Sequence, residues 1–420
     1  MNVNRFNKLT LAIGLSIATT STLASPQAFM SSRSFAMAGT GVAVATPSAA
    51  PSTNPAMMAS QQHDWADDFG LMVPSVNIRA ADEEDTVDQI DGIQDVIDQF
   101  QELNRASNPQ DARDLAKDLR ERMIKFDKDT VRVDAGLGLA FAIPTDSISV
   151  GFMTNANLRA TVRGELDEDD NAYLENLENA TTAELLVADL DRDLKSRGRI
   201  LASAVVEAGV SVAKTFQLNN GESFQLGVTP KYVELRTFQY TETVSGFEDD
   251  EFDGDDSQTE KSGFNLDVGA AYAFGENQQW NAGVVVKNLI PMELDSAQSR
   301  PAQEDKYTLE LKPMLTAGIA HKGSFHVVTA ELDLTKKEAF GYEDDTQWLA
   351  VGAEFDVWRY AQLRAGLRHN LASNSDNDGI EETTQLTAGF GLNVLGAHLD
   401  LGALFSSADV GAAIEFGAAF

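Results

Sequence analysis

From about residue 131 to the C-terminus, hydrophobic and polar positions alternate with a period of two. In the last segment, Asp409 to Phe420, every second residue from Val410 is apolar, whereas Asp409 and Glu415 share the opposite face. This period predicts β-strands that have one apolar face and one polar face. The same pattern recurs in about fourteen segments of ~10 residues, a length that suits tilted membrane-spanning strands. These segments lie near Leu71–Ala80, Arg132–Pro144, Ser147–Val162, Arg199–Thr215, Ser223–Tyr240, Ser262–Phe274, Trp280–Leu289, Thr308–Ala320, Ser324–Leu334, Gln347–Val357, Ala361–His369, Thr383–Val394, Ala397–Phe405 and Asp409–Phe420.

Apolar and polar residues also alternate along the strands of a soluble β-sandwich. Two features favour a membrane barrel over such a sandwich. One face of the segments is aliphatic and aromatic with almost no charge, while the other carries Gly, small residues and charges. The connections also alternate between short and long, as in outer-membrane barrels with short periplasmic turns. The sequence therefore predicts an all-β transmembrane fold, an about 14-stranded antiparallel barrel in the bacterial outer membrane. The main outer loops are predicted at 81–131, 163–198, 241–261 and 290–307.

The first two long loops contain apolar residues at helical spacing. These residues are Val87, Ile90, Ile93, Val96, Ile97 and Phe100, then Leu174, Leu177, Leu185, Leu186 and Leu190. Two interpretations stay open: helices folded over the outer mouth, or partly ordered acidic loops.

The N-terminus has the pattern of a secretory signal peptide. Arg5 and Lys8 precede the apolar stretch Leu9–Leu23, and small residues follow around Ala24. The alternative is a short anchor helix, although the apolar run is below the ~20 residues that span a membrane. We therefore expect a signal peptide at 1–24, an N-terminal plug segment at 25–66 and a barrel at 67–420.

Residues 29–59 contain a motif made of Arg33, Gly39, Gly41 and the run Asn54, Pro55 and Ala56. This motif resembles the N-terminal segment of FadL/TodX-like outer-membrane proteins, and more closely their plasmid transfer operon TraF-like branch. The resemblance implies that this segment plugs the barrel lumen and that hydrophobic substrates cross the outer membrane. Independently of the resemblance, Gly permits tight turns and close backbone approach, and the Asn-Pro pair favours a turn. A flexible periplasmic tail is the alternative.

Composition excludes several classes of protein. The 420 residues include 65 acidic against 32 basic side chains, a net charge of −33, which argues against binding nucleic acid. The absence of cysteine excludes disulfides, thiol catalysis and thiolate zinc sites. The five histidines are scattered and no hydrolase motif occurs, so we expect no enzyme activity, no cofactor and no metal site. The spacing Asp249–Glu260 fits a calcium loop, and residues 374–385 partly repeat it, but solvated acidic loops are the simpler interpretation.

Charged residues on the polar face of the C-terminal strands predict a charged inner wall, because such charges meet water or a plug in a barrel. They are Glu331, Asp333, Glu354, Asp356, Arg364, Arg368, Asp400 and Glu415. If Trp358–Tyr360 forms the turn, Glu354 faces Arg364 across the hairpin, and we expect the two to be in contact. Apolar candidates for a ligand pocket are Leu201, Val205, Val233 and Leu235.

The sequence thus favours a channel for uptake or export of a small hydrophobic molecule. The alternative is a non-transporting surface or assembly protein, such as an accessory of conjugal transfer. The expected partners are outer-membrane lipid, a small hydrophobic ligand and the outer-membrane assembly machinery, which would read the terminal aromatic Phe420.

Overall fold

The computed structural model describes most of the chain beyond the predicted signal peptide. The described residues are 29–60, 70–82, 86–145, 147–218, 223–244, 255–298, 300–301, 303–357, 360–373 and 380–419. Several predictions lie outside them: the signal peptide, the acidic residues Asp249–Gly254 and 374–379, and Phe420.

Fourteen antiparallel strands close into a barrel, as the period-two pattern predicts. Neighbours in the chain are neighbours in the barrel, and the first strand pairs with the last, with Val76 opposite Ile414. Closure leaves no unpaired edge, which a bilayer requires. The strands are β1 Gly70–Asp82, β2 Thr130–Ile143, β3 Ser149–Glu165, β4 Arg197–Gln217, β5 Ser223–Thr243, β6 Gln258–Phe274, β7 Trp280–Lys287, β10 Met314–Lys322, β11 His326–Asp333, β12 Trp348–Val357, β13 Ala361–Asn370, β14 Thr384–Val394, β15 Ala397–Phe405 and β16 Asp409–Ala419, with β8 Met292–Asp295 and β9 Thr308–Leu311 outside the barrel wall.

The outer wall is apolar and the inner wall is polar. In β16, Val410 and Phe416 are 60% and 47% exposed on the isolated barrel, whereas Glu415 is 3% exposed. An apolar outer wall can face lipid, whereas acidic side chains there are destabilising. Among the described residues, no helix is both long and apolar enough to cross a membrane.

The fourth outer loop differs from the prediction. The segment expected as one strand, Thr308–Ala320, is split at Pro313, which lacks an N–H group and cannot continue a ladder. Its first part, β9, pairs with β8 in a separate two-stranded sheet, and the barrel wall resumes at β10. The loop between β7 and β10 therefore extends beyond the expected range 290–307 and contains a hairpin that the sequence pattern did not reveal.

Helices fill the first two outer loops, which favours the helical interpretation over disordered acidic loops. Loop one holds α2 Thr86–Glu102 and α3 Pro109–Phe126, while loop two holds α4 Glu168–Glu178, α5 Thr182–Val187 and α6 Leu190–Asp193. We call these helices the lid. Their apolar faces pack into one cluster, although Leu186, one of the predicted apolar positions, is exposed.

Residues 29–60, called the plug below, lie inside the lumen. They form the short helix α1 Ser32–Ala36 and two 3₁₀ turns, Ala50–Ser52 and Pro55–Ala59. Inner-wall glycines make room for the plug, because a Cβ added at any of them would lie less than 3.0 Å from a plug atom. These glycines are Gly227, Gly283, Gly352, Gly366 and Gly389.

Candidate functional site

An ion-pair chain joins α1 of the plug to the inner wall. Arg33 donates from Nε and Nη2 to Glu354 at 2.8 and 3.0 Å, and from Nη1 to the Val44 carbonyl at 2.6 Å. Glu354 also accepts from Arg364 Nε at 2.6 Å, and Arg364 Nη1 donates to Asp400. The register of β12 and β13 places Glu354 directly opposite Arg364. The structure thus brings four sequence-predicted site residues into one group.

Glu331 on β11 is the second contact between wall and plug. Its Oε1 accepts from the backbone N–H groups of Gly41, Val42 and Ala43 at 2.8, 2.7 and 3.4 Å. The sequence places Glu331 on the inner face but does not assign it a partner. The sequence indicates only that Glu331 is an acidic residue on the inner face of a barrel whose lumen is expected to hold a segment with glycines.

Asn54 organises the far end of the plug. Its Oδ1 accepts from Ala56 N at 3.1 Å and caps the 3₁₀ turn that begins at Pro55. Its Nδ2 donates to the carbonyls of Val42 and Ala270 at 2.7 and 3.2 Å. One side chain therefore ties together two parts of the plug and the barrel wall.

The two motif glycines have separate steric roles. Gly39 has φ +86°, a left-handed conformation that L side chains disfavour. Gly41 has no room for a side chain, because a Cβ there would lie 2.6 Å from Thr53 Cγ2. Both positions depend on the absence of a Cβ.

Arg368 lies apart from the Arg33–Glu354 group. Its Nε donates to Gln385 Oε1 at 2.6 Å, and its guanidinium carbon lies 4.3 Å from the centre of the Trp348 ring. Glu415 instead contacts the start of α1, where its Oε2 accepts from Ser32 N at 2.9 Å.

A buried charge network lies towards the outer mouth, and sequence reasoning did not identify it. It connects inner-wall residues of β1, β2, β3 and β16 to two outer loops. Its members are Arg79, Arg132, Arg159, Asp134, Asp409, Glu343 and Glu382. Burial opposes the charge of Glu382 in its loop, but Arg132 and Arg79 outweigh burial and hold its pKa well below the usual value. The network therefore holds both loops against the barrel wall.

The plug separates two cavities. The outer cavity, about 180 Å³, has an apolar side formed by Phe29, Met30, Val205, Val285, Leu311 and Trp348. Its polar side includes Lys337, whose pKa is lowered to about 8 by burial and by the nearby charge of Arg159. The periplasmic cavity, about 200 Å³, lies at the end with the short turns and includes Arg33 and His398. Val42 lines the first cavity and Ala43 the second, so the plug backbone at this point is the partition between them.

The structure brings the four apolar candidates together in one apolar cluster. The cluster contains Leu201, Val205, Val233 and Leu235, which pack with Leu309 of β9 and with Phe340. Val205 also lines the outer cavity. The unexpected β8–β9 hairpin therefore covers wall positions that would otherwise be open to the lumen.

A closed barrel with a lipid-compatible outer wall and a plugged lumen defines the protein as an outer-membrane β-barrel. The model of the family described as "F plasmid transfer operon, TraF, protein" matches residues 51–333, more than half of the chain. The chain belongs to this family. No protein with a curated description matches it.

Solved structures share the fold at low sequence identity. The Pseudomonas putida toluene transporter TodX is 12% identical, with a TM-score of 0.51 over 95% of this chain and 100% of that one. The Ralstonia pickettii toluene transporter TbuX is 14% identical, with a TM-score of 0.52 over 94% and 99%. The monoaromatic hydrocarbon channel CymD is 12% identical, with a TM-score of 0.52 over 94% and 99%. At this identity the likeness establishes the barrel fold alone.

Proposed function

We propose that this protein is a channel for a small hydrophobic molecule across the outer membrane and that it catalyses no reaction. The observation that carries the proposal is the outer cavity, whose apolar side ends at the plug. Its volume of about 180 Å³ is of the same order as the ~150 Å³ apolar cavity that binds benzene in another protein. A molecule the size of one aromatic ring therefore fits.

The proposed path has three stages. The molecule enters at the outer mouth, beneath the lid and the β8–β9 hairpin. It then occupies the outer cavity, where Val205 and Val285 give it an apolar contact. Release requires the plug backbone at Val42 and Ala43 to move, because that backbone lies between the cavities.

The structural neighbours support this substrate class, because two of them are toluene transporters and one is a monoaromatic hydrocarbon channel. The family description instead points to conjugal transfer. An ordered lid and a buried charge network that holds outer loops closed favour this second candidate, a surface protein that does not transport. A permeation measurement separates the two.

The test uses Val285→Trp, which fills the outer cavity, and Val284→Trp as a matched control. Val285 is 2% exposed and lines the cavity, whereas its neighbour Val284 is 38% exposed on the outer wall. Uptake of [¹⁴C]toluene is measured in cells that produce each protein and in cells that lack it. We expect uptake above background for the unaltered protein and for V284W, and background uptake for V285W. Equal uptake in all four strains, with each barrel folded, would favour the non-transporting alternative.

We also propose that residues 1–24 direct export, that residues 25–66 form the plug unit and that residues 67–420 form the barrel unit.

We further propose that the outer-membrane assembly machinery recognises Phe420. Deletion of Phe420 is expected to lower the heat-modifiable folded fraction in the outer membrane and to raise periplasmic degradation. The exposure of Phe416 and Ile414 on the outer wall of β16 supports this proposal. An unchanged outer-membrane yield would contradict it.

A further inference from the structure

Three side chains of metal-ligating type meet on the inner wall at the periplasmic end. His398 and Asp400 are two residues apart on β15 and therefore share a face. Glu415 on β16 is paired directly opposite Asp400. One ligand atom from each residue lies within 4.8 Å of the others. The pairing of β15 with β16 thus brings His398, Asp400 and Glu415 together, although their positions in the sequence do not suggest a common site.

Both carboxylates are already oriented by a second contact. One oxygen of Asp400, Oδ1, accepts from Arg364 Nη1, and one oxygen of Glu415, Oε2, accepts from Ser32 N at 2.9 Å. The other oxygen of Glu415 lies 3.6 Å from His398 Nε2, which is too long for a hydrogen bond. Outer contacts that hold a carboxylate in position are typical of metal sites.

The group faces the periplasmic cavity of about 200 Å³. The carboxylates of Asp400 and Glu415 are buried, while 17% of the His398 side chain is exposed. Four acidic and three basic side chains line the cavity, which leaves a net negative charge when the histidines are neutral. These are Glu354, Asp356, Asp400 and Glu415 against Arg33, Lys322 and Arg364. A cavity lined with a negative excess attracts cations.

We propose that His398, Asp400 and Glu415 bind one divalent transition-metal ion, of which Zn²⁺ is the representative. An imidazole favours zinc and its neighbours over calcium or magnesium, and carboxylates complete a nitrogen and oxygen ligand set. The cavity leaves room for water in the remaining coordination positions. This proposal does not depend on the proposed function.

The site would also be linked to the plug. Glu415 accepts from the N–H of Ser32, the first residue of α1, so an ion on Glu415 fixes the side chain that receives this bond. The competing account is a simple His398–Glu415 ion pair without any metal.

The test is titration of Zn²⁺ into untagged, detergent-solubilised full-length barrel by isothermal calorimetry after removal of metal with EDTA. We expect saturable binding that His398→Gln and Glu415→Gln each weaken by at least ~10-fold. Gln at 415 retains an oxygen that accepts from Ser32, which keeps the plug contact. Heat-modifiable mobility on gels verifies that each variant is folded, and if H398Q does not fold, E415Q and Asp400→Asn carry the test.

His326→Gln is the matched control. His326 lines the same cavity, and its Nε2 lies 3.3 Å from His321 Nδ1, so this pair is the obvious rival ligand set. We expect H326Q to bind Zn²⁺ as the unaltered protein does. The absence of binding, binding that survives both H398Q and E415Q, or binding lost in H326Q would each overturn the proposal.

Discussion

Replacing Glu331 by Ala is expected to release the middle of the plug. Glu331 receives three backbone N–H groups, from Gly41, Val42 and Ala43, and two of these bonds are shorter than 3.0 Å. The three N–H groups belong to the stretch that lies between the two cavities. Loss of this one carboxylate should therefore raise the population in which the partition is open.

The magnitude follows from the two short bonds. Hydrogen bonds to a charged group contribute about 1.5–3 kcal/mol each, which gives about 3–6 kcal/mol in total. Burial of the Glu331 carboxylate offsets part of this contribution, and water from the adjoining cavity partly solvates the freed N–H groups, so we take about 1.5–3 kcal/mol. Since 1.36 kcal/mol is a factor of ten, the open population should rise about 10–100-fold.

A single-cysteine reporter measures this population. The chain contains no cysteine, so Val42→Cys introduces one labelling site. Val42 is 5% exposed, and a polyethylene-glycol maleimide, which is too large for the outer cavity of about 180 Å³ that Val42 lines, reaches the thiol only when the plug moves. When closing is fast compared with labelling, the labelling rate is proportional to the open population. We therefore expect V42C/E331A to be labelled about 10–100 times faster than V42C.

Asp333→Ala is the matched control. Asp333 lies on the same strand and the same face, but its carboxylate accepts from Thr316 Oγ1 and Trp348 N rather than from the plug. The labelling rate in V42C/D333A should equal that of V42C. An unchanged rate in E331A, or an equal rise in both variants, would refute the assignment of Glu331 as the plug contact.

Three further changes test the plug and the lid. Arg33→Ala removes the paired bonds to Glu354 and should accelerate labelling of the same cysteine reporter about tenfold, because about 1.5 kcal/mol of charge-assisted bonding is lost. Gly39→Ala places an L side chain at φ +86°, which costs about 1–2 kcal/mol and should lower the temperature at which the folded gel band is lost. Phe100→Ala leaves a cavity in the lid cluster at a cost of about 3–5 kcal/mol and should accelerate hydrogen exchange in α2 and α3 but not in the barrel strands.

Each of the three has its own control and contrary outcome. Gly92→Ala makes the same chemical change in α2, at a position outside the left-handed region, and should not lower the transition temperature. Equal losses in G39A and G92A would show that backbone conformation is not the cause. An unchanged labelling rate in R33A would mean that the bonds between Arg33 and Glu354 do not hold the plug in place. Faster hydrogen exchange throughout the barrel in F100A would mean that the lid and the barrel unfold together.

The barrel was predictable because strand alternation is local. The period that separates Val410 from Glu415 is visible within one segment, and each segment repeats it independently. The same argument fails at Pro313. The apolar run on both sides of this proline predicts one strand, but the part before it pairs with β8 and the part after it pairs with β7. Periodicity identifies strands but does not specify their neighbours.

The contacts of the site were predictable only where a short turn fixed them. Glu354 and Arg364 face each other because one hairpin determines their register. Glu331 and Gly41 are 290 residues apart, and no local pattern joins them. The same limit applies to His398, which looks isolated in sequence until β15 and β16 are paired. In each case the residue type was visible, but its partner depended on closure of the whole barrel.

The two halves of the plug are held by different walls and with different strength. The half that begins at α1 is bound by carboxylates of the C-terminal strands, through Arg33, Ser32 and the three N–H groups on Glu331. The half after residue 50 relies mainly on single bonds to backbone carbonyls, such as Lys287 Nζ to Ser52 O at 2.8 Å and Thr215 Oγ1 to Ala59 O at 2.6 Å. The partition between the cavities belongs to the first, more strongly held half. Opening of the partition at Val42 and Ala43 must therefore break the contacts of Glu331, and also the bond from Asn54 in the second half to the Val42 carbonyl.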